Sequence, residues 1–210
     1  MSDNRQKTVV NTLGSSNISS KDREELDFYQ TPSGAVKALI DSGLLDRSLK
    51  VWEPMAGNGA IADVLKENGF KVACSDIVQR RYKLDFVRDF FSVKTQEGKS
   101  SAFQIVTNPP YEKANDFLLH SLSLSPAFLA AFLPVRYLEG KQRYIDIYSK
   151  YIPSDVIVFA RRYGCYKEAD LEAGIVTDHG IGSAVAYMWL CFKKQDDGSY
   201  GKETKLHFSF

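Results

Sequence analysis

Lys50-Val51-Trp52-Glu53-Pro54-Met55-Ala56-Gly57-Asn58-Gly59 is the stretch that decides the fold. Lys50 to Glu53 reads as a short strand and Pro54 to Gly59 as a glycine-bearing turn. Ala60 to Asn68 reads as a helix with Ile61, Val64 and Leu65 on one face and Gly69 as its C-cap. Outward from this unit the alternation continues. Phe70 to Ser75 is a second strand ending at Asp76, and Leu84 to Val87 a short third. Phe103 to Thr107 is a buried strand stopped by Asn108-Pro109-Pro110, and a helix follows from Lys113 to Leu124. Ala127 to Val135 is the longest apolar run, the pattern of a central strand covered on both faces. Glu139 to Tyr151 reads as a helix, Asp155 to Ala160 as a strand, and Ser183 to Phe192 as a last, long strand. Upstream, Thr31 is placed to cap a helix that carries Pro32 in its first turn and ends near Gly43. Strand and helix in alternation give an α/β fold, an open and mostly parallel sheet with helices on both faces.

Residues 1–24 are rich in Ser, Asn and charge and read as a mobile arm, which leaves 25–210 as a single domain of ordinary size. The stretch from Tyr163 to Gly182 is polar and glycine-dotted, and a loop of that length inside a compact domain is often functional. The 27 basic and 26 acidic residues leave a net charge of +1, so a nucleic-acid partner would have to be met by a local basic patch, with affinity that falls quickly in salt. Cys74, Cys165 and Cys191 show no pairing pattern and no metal-ligand spacing, which points to a reducing cytoplasm and to no metal. The N-terminus lacks the apolar core of a signal peptide, and no run approaches membrane-span length, so no membrane partner is expected.

In an open parallel sheet, ligands sit beyond the carboxyl ends of the strands. Glu53 to Gly59 lies there, and Gly57 and Gly59 let the backbone approach a ligand closely and leave a helix N-terminus open. The spacing is neither a dinucleotide fingerprint, since the next glycine after Gly59 is Gly69, nor a phosphate loop, since no Gly-Lys-Ser/Thr follows. Glu53 would repel a pyrophosphate and suits a positively charged group such as a sulfonium or an ammonium. Asp76, at the end of the next strand, is placed to accept hydrogen bonds from ribose hydroxyls. Asp89, followed by Phe90 and Phe91, could pair with an adenine amino group and pack its ring. Asn108-Pro109-Pro110-Tyr111 follows a buried strand and so shares the same edge. Its two prolines donate no N–H, and its carbonyls and the Asn108 side-chain oxygen are acceptors suited to an NH2 group. Tyr111 adds a flat face for stacking.

These residues resemble the class I S-adenosylmethionine-dependent methyltransferases, in the amino-methylating group marked by an Asn-Pro-Pro-Tyr tetrad. The resemblance spans Asp27 to Phe192. It implies a seven-stranded, mostly parallel Rossmann-like sheet with one antiparallel strand, Ser183 to Phe192. It implies S-adenosyl-L-methionine held by Tyr29, Thr31 and Pro32 at its methionine end, by Glu53, Met55, Ala56, Gly57, Asn58 and Gly59 at the first motif, by Asp76 and Ile77 at the ribose, by Asp89 and Phe90 at the adenine, and by Asn108. The tetrad is then catalytic, and the substrate is the N6 amino group of adenine in DNA. Leu133 to Gly140 and Tyr187-Met188-Trp189 are similar to small phage and prophage DNA adenine methyltransferases. No separate target-recognition domain is present in that reading, which leaves Arg136, Lys141, Arg143, Arg161 and Arg162 as phosphate-contact candidates beside Tyr111. An amino group in RNA, a glutamine side chain in a protein, and a non-catalytic cofactor-binding relative are the alternatives.

Overall fold

The structure, a computed structural model, describes residues 29–94, 102–163, 166–167 and 185–209. The expected N-terminal arm, residues 1–24, and most of the expected loop 163–182 lie outside these residues. In chain order the strands are β1 (Tyr29–Gln30), β2 (Lys50–Glu53), β3 (Val72–Asp76), β4 (Phe86–Val87), β5 (Phe103–Thr107), β6 (Phe128–Pro134), β7 (Asp155–Phe159), β8 (Tyr166–Lys167), β9 (Tyr187–Lys193) and β10 (Lys205–Ser209). The long helices are α1 (Ser33–Asp41), α2 (Ala60–Glu67) and α3 (Ala114–Ser123).

The main sheet runs β10-β7-β9-β6-β5-β2-β3-β4, and β1 pairs antiparallel with β8 in a separate two-stranded ribbon. Only β9 runs against its neighbours in the main sheet, between β6 and β7, as expected for the segment 183–192. The sheet has eight strands rather than seven. The additional one, β10, pairs parallel with β7 from Lys205↔Asp155 to Ser209↔Phe159. His207 Nε2 meets the buried Asp155 Oδ1 at 2.7 Å and anchors it. Leu206 and Phe208 remain 57% and 69% exposed, so this edge strand buries little and carries a weak hydrophobic signal.

Both faces of the sheet are covered, and the side chains of the central strands divide between them. Phe128, Ala130 and Phe132 of β6 pack with Val51, Trp189, Leu39 of α1 and Ile61 and Leu65 of α2. Leu129, Ala131 and Leu133 pack the other way, with Ile105, Met188, Leu190 and Phe117 and Leu118 of α3. Every residue of β6 is therefore buried, which is why it reads as an unbroken apolar run. The Trp189 indole N–H donates to the Ala35 carbonyl at 2.7 Å and ties β9 to α1.

Two local expectations are corrected. Thr31 does not cap α1: the capping position is Pro32, with Ala35 N–H donating to its carbonyl at 3.0 Å, because Thr31 still belongs to the extended segment leaving β1. The helix expected over 139–151 begins only at Lys141, since Gly140 sits at φ 117°, outside helical space. It is a short α turn, Lys141–Arg143, running into a π-helical turn, Tyr144–Tyr148.

Candidate functional site

The glycine turn between β2 and α2 is held from three sides. Ala56 N–H donates to the Ser75 carbonyl at 3.0 Å, and Gly57 N–H donates to Asp76 Oδ2 at 2.9 Å, so the carboxylate ending β3 fixes the turn after β2. Asn58 Nδ2 donates to Gln30 Oε1 at 2.8 Å, which links the turn to β1. Gly57 and Gly59 both have positive φ, 53° and 80°, which side-chain-bearing residues adopt at a cost. Gly59 also lies under the ring of Tyr82, which a Cβ at that position would meet at 2.1 Å. The Tyr82 hydroxyl donates to Asp63 Oδ1 at 2.7 Å and accepts from Lys66 Nζ at 3.0 Å, which pins the ring against α2. Nothing in the local sequence marks Tyr82, which acts across 19 residues, and Gln30, inside the segment that the resemblance places at the cofactor's methionine end, acts here across 28.

Glu53 is 2% exposed, and its Oε2 has no hydrogen-bond partner among the described residues. Burial pushes its carboxyl well above the usual glutamate range; the Ala62 N–H works against this, and the charges of Asp63 and Asp76 add to it. A buried carboxyl with an unsatisfied oxygen is costly unless a ligand supplies the missing partner. On the next strand, Thr107 Oγ1 is likewise buried and unpartnered. The unsatisfied Glu53 oxygen at the end of β2 therefore fits a ligand carrying positive charge and hydrogen-bond donors.

Asp76 and Ile77 follow at the end of β3, with Ile77 64% exposed. Asp89 is exposed and accepts from the Phe91 N–H at 3.0 Å, capping a 3-10 turn over Phe90–Ser92. The Phe90 ring, 3% exposed, is enclosed by Trp52, Phe117 and His120 at centroid distances of 5.5, 5.1 and 4.9 Å. It supports the loop from beneath and belongs to the core. Met55 is half-buried and Ala56 buried, both in the turn. Thr31 and Pro32 are buried at the start of α1, and the Tyr29 backbone lies in β1.

β2 and β5 are parallel neighbours, in register at Trp52↔Ile105, so the tetrad after Thr107 shares the edge of the glycine turn. Asn108 is half-buried, Pro109 buried and Pro110 exposed. The Pro110 carbonyl accepts from Lys113 N–H at 3.0 Å and starts the turn that leads into α3. The Tyr111 ring lies 6.0 Å from that of Tyr187, which stacks on the buried Phe132 at 5.2 Å and 10°. The Tyr111 carbonyl accepts from the buried Tyr137 hydroxyl at 2.5 Å.

Arg136, Lys141, Arg161 and Arg162 are exposed after β6 and β7, at the same edge. Arg143 is used otherwise. Its guanidinium lies 4.3 Å from the Tyr137 ring centroid. It donates to the Arg136 carbonyl at 3.0 Å, to the Glu139 carbonyl, and from Nε to Asn115 Oδ1 at 3.2 Å. It braces the fold and is poorly placed to reach a phosphate. Among the described residues no group of His, Cys, Asp and Glu could hold a metal ion, and no helix is long and apolar enough to cross a membrane.

The sheet order and the glycine turn at its carboxyl edge define an open α/β, Rossmann-like fold, and solved structures share it. The chain is similar to a candidate RNA methyltransferase from Pyrococcus horikoshii, with a TM-score of 0.53 and 14% identity over 90% of this chain and 98% of that one. It is similar to a predicted O-methyltransferase from Agrobacterium tumefaciens, with a TM-score of 0.51 and 12% identity over 85% of each chain. It is also similar to a modification subunit of a candidate type I restriction enzyme from Vibrio vulnificus, with a TM-score of 0.51 and 10% identity over 90% of this chain and 47% of that one. No family model matches the sequence, and no curated protein does.

Proposed function

We propose that the protein is an S-adenosylmethionine-dependent methyltransferase acting on the N6 amino group of adenine in DNA. The carrying observation is the juxtaposition on adjacent parallel strands of a buried, unsatisfied carboxyl, Glu53, and an acceptor-rich tetrad, Asn108 to Tyr111. When bound, the cofactor supplies a methyl group on a positively charged sulfur. Glu53 and the glycine turn hold its charged end, and Asp76 and Asp89 serve its ribose and adenine. Asn108 Oδ1 and the Pro109 carbonyl accept the two protons of the incoming NH2 and turn its lone pair toward the donor, so positioning dominates. Tyr111, backed by Tyr187, stacks the base. A duplex would have to present its adenine flipped out, at a cost of a few kcal/mol that this stacking offsets in part. Exposed Arg136, Lys141, Arg161 and Arg162 contact phosphate. The likeness to a restriction-modification subunit is compatible with a DNA substrate.

The test is transfer of labelled methyl from S-adenosyl-L-methionine to DNA, RNA and protein side by side, with mass spectrometry of the released nucleosides. N6-methyl-2′-deoxyadenosine from DNA is expected. Label in RNA or in protein glutamine would change the substrate and keep the chemistry, and binding with no transfer to any of the three would leave a cofactor-binding module. Asn108→Ala is expected to keep cofactor affinity by calorimetry and to lose turnover by on the order of 100-fold, since it removes an acceptor used at the reacting nitrogen. Unchanged turnover would remove Asn108 from that role.

A further inference from the structure

The segment after β6 grips the tetrad from behind. Val135–Leu138 is a 3-10 turn that carries Tyr137 inward, 6% exposed, with its hydroxyl donating to the Tyr111 carbonyl. The Tyr137 carbonyl in turn accepts from the Tyr148 hydroxyl at 2.5 Å, so the π turn locks the residue that holds the tetrad. The Arg143 guanidinium covers the Tyr137 ring and reaches Asn115, just past the tetrad at the start of α3. Two points of one short stretch, the Tyr111 carbonyl and the Asn115 side chain, are thus tied to one module after β6. The two prolines stiffen the tetrad internally but leave the rotation of the whole loop about the end of β5 unset. An anchor at its far end sets that rotation.

We propose that Tyr137 is a positioning residue for methyl transfer, fixing the tetrad through the Tyr111 carbonyl. This rests on the function proposed above. The Tyr137 phenol is raised above the usual tyrosine range by burial, against the pull of Arg143 and Arg136, and so remains a donor at neutral pH.

Tyr137→Phe tests it, with Tyr200→Phe as a matched control. Tyr200 is also buried, 5% exposed, and its hydroxyl also donates to a backbone carbonyl, that of Pro126 at 2.8 Å, at the opposite edge of the sheet. Both variants are expected to melt somewhat below the wild type. Only Tyr137→Phe is expected to lower kcat, roughly tenfold, with KM for S-adenosyl-L-methionine unchanged. Hydrogen–deuterium exchange over residues 108–114 is expected to quicken in Tyr137→Phe and to stay unaltered in Tyr200→Phe. This readout needs no turnover, so it separates failure of the brace from failure of the proposed reaction. Unaltered exchange in Tyr137→Phe overturns the brace. Quickened exchange with kcat unchanged, or an equal loss of kcat in both variants, overturns the positioning role.

Discussion

Glu53 is the residue at which stability and ligand binding pull in opposite directions. The folded protein holds a proton on it that the unfolded chain releases above the ordinary glutamate value of 4.5. The stability of the ligand-free protein linked to this proton is full below that value and declines as pH rises toward the folded-state value. Glutamine cannot titrate, so Glu53→Gln is expected to gain melting temperature on the wild type as pH is raised past 4.5, and to bind S-adenosyl-L-methionine more weakly. Thermal melting of both proteins across a pH series checks the first effect and calorimetry the second; a constant gap in melting temperature would detach Glu53 from this linkage. The position of Glu53 was legible in sequence, because a strand, a proline and two glycines bracket it. Its solitude was not, since an unmatched oxygen is a property of everything around it. Tyr137 was invisible for a related reason: its partner is 26 residues away, and only the fold brings them together.

At the scale of elements, the β2–turn–α2 unit carries the ligand side, and Gly59 is where it is least tolerant. A side chain there pays about 1–2 kcal/mol for the left-handed backbone alone and also displaces the Tyr82 ring. Gly59→Ala is therefore expected to lower the melting temperature and to weaken cofactor binding together; a variant that melts and binds like the wild type would show the turn to be more plastic than its geometry. The unit was readable because periodicity switches from 2 to 3.6 across a turn of small residues. The helix starts were less readable. Thr31 has the chemistry of a cap, yet the β1–β8 ribbon keeps it extended, and a ribbon of two-residue strands leaves no pattern in sequence.

Over the whole molecule, the near-balance of charge limits how the protein meets a polyanion. The four exposed basic residues proposed above as phosphate contacts, Arg136, Lys141, Arg161 and Arg162, set the expected salt dependence. With about 0.9 counterion released per contact, log affinity for duplex DNA against log salt is expected to slope at about −4 or shallower. A filter-binding titration across salt checks this, and a much steeper slope would require contacts from elsewhere in the chain. The parallel arrangement was legible at this scale because each crossover helix announces it. The eighth strand was not, since β10 leaves Leu206 and Phe208 outside and is recruited by the open edge of β7.

The insertion of β9 between β6 and β7 has a consequence for how the chain reaches this state. β6 and β7 never pair with each other; each waits for β9, which matches β6 from Phe128↔Lys193 to Pro134↔Tyr187 and β7 from Asp155↔Cys191 to Val158↔Met188. During synthesis the first half of the sheet can assemble while these two apolar strands still present raw edges, and the strand that joins them arrives only when residues 187–193 leave the ribosome, with β10 still to follow. A chain cut short before that point would expose the most apolar seam in the molecule to its neighbours.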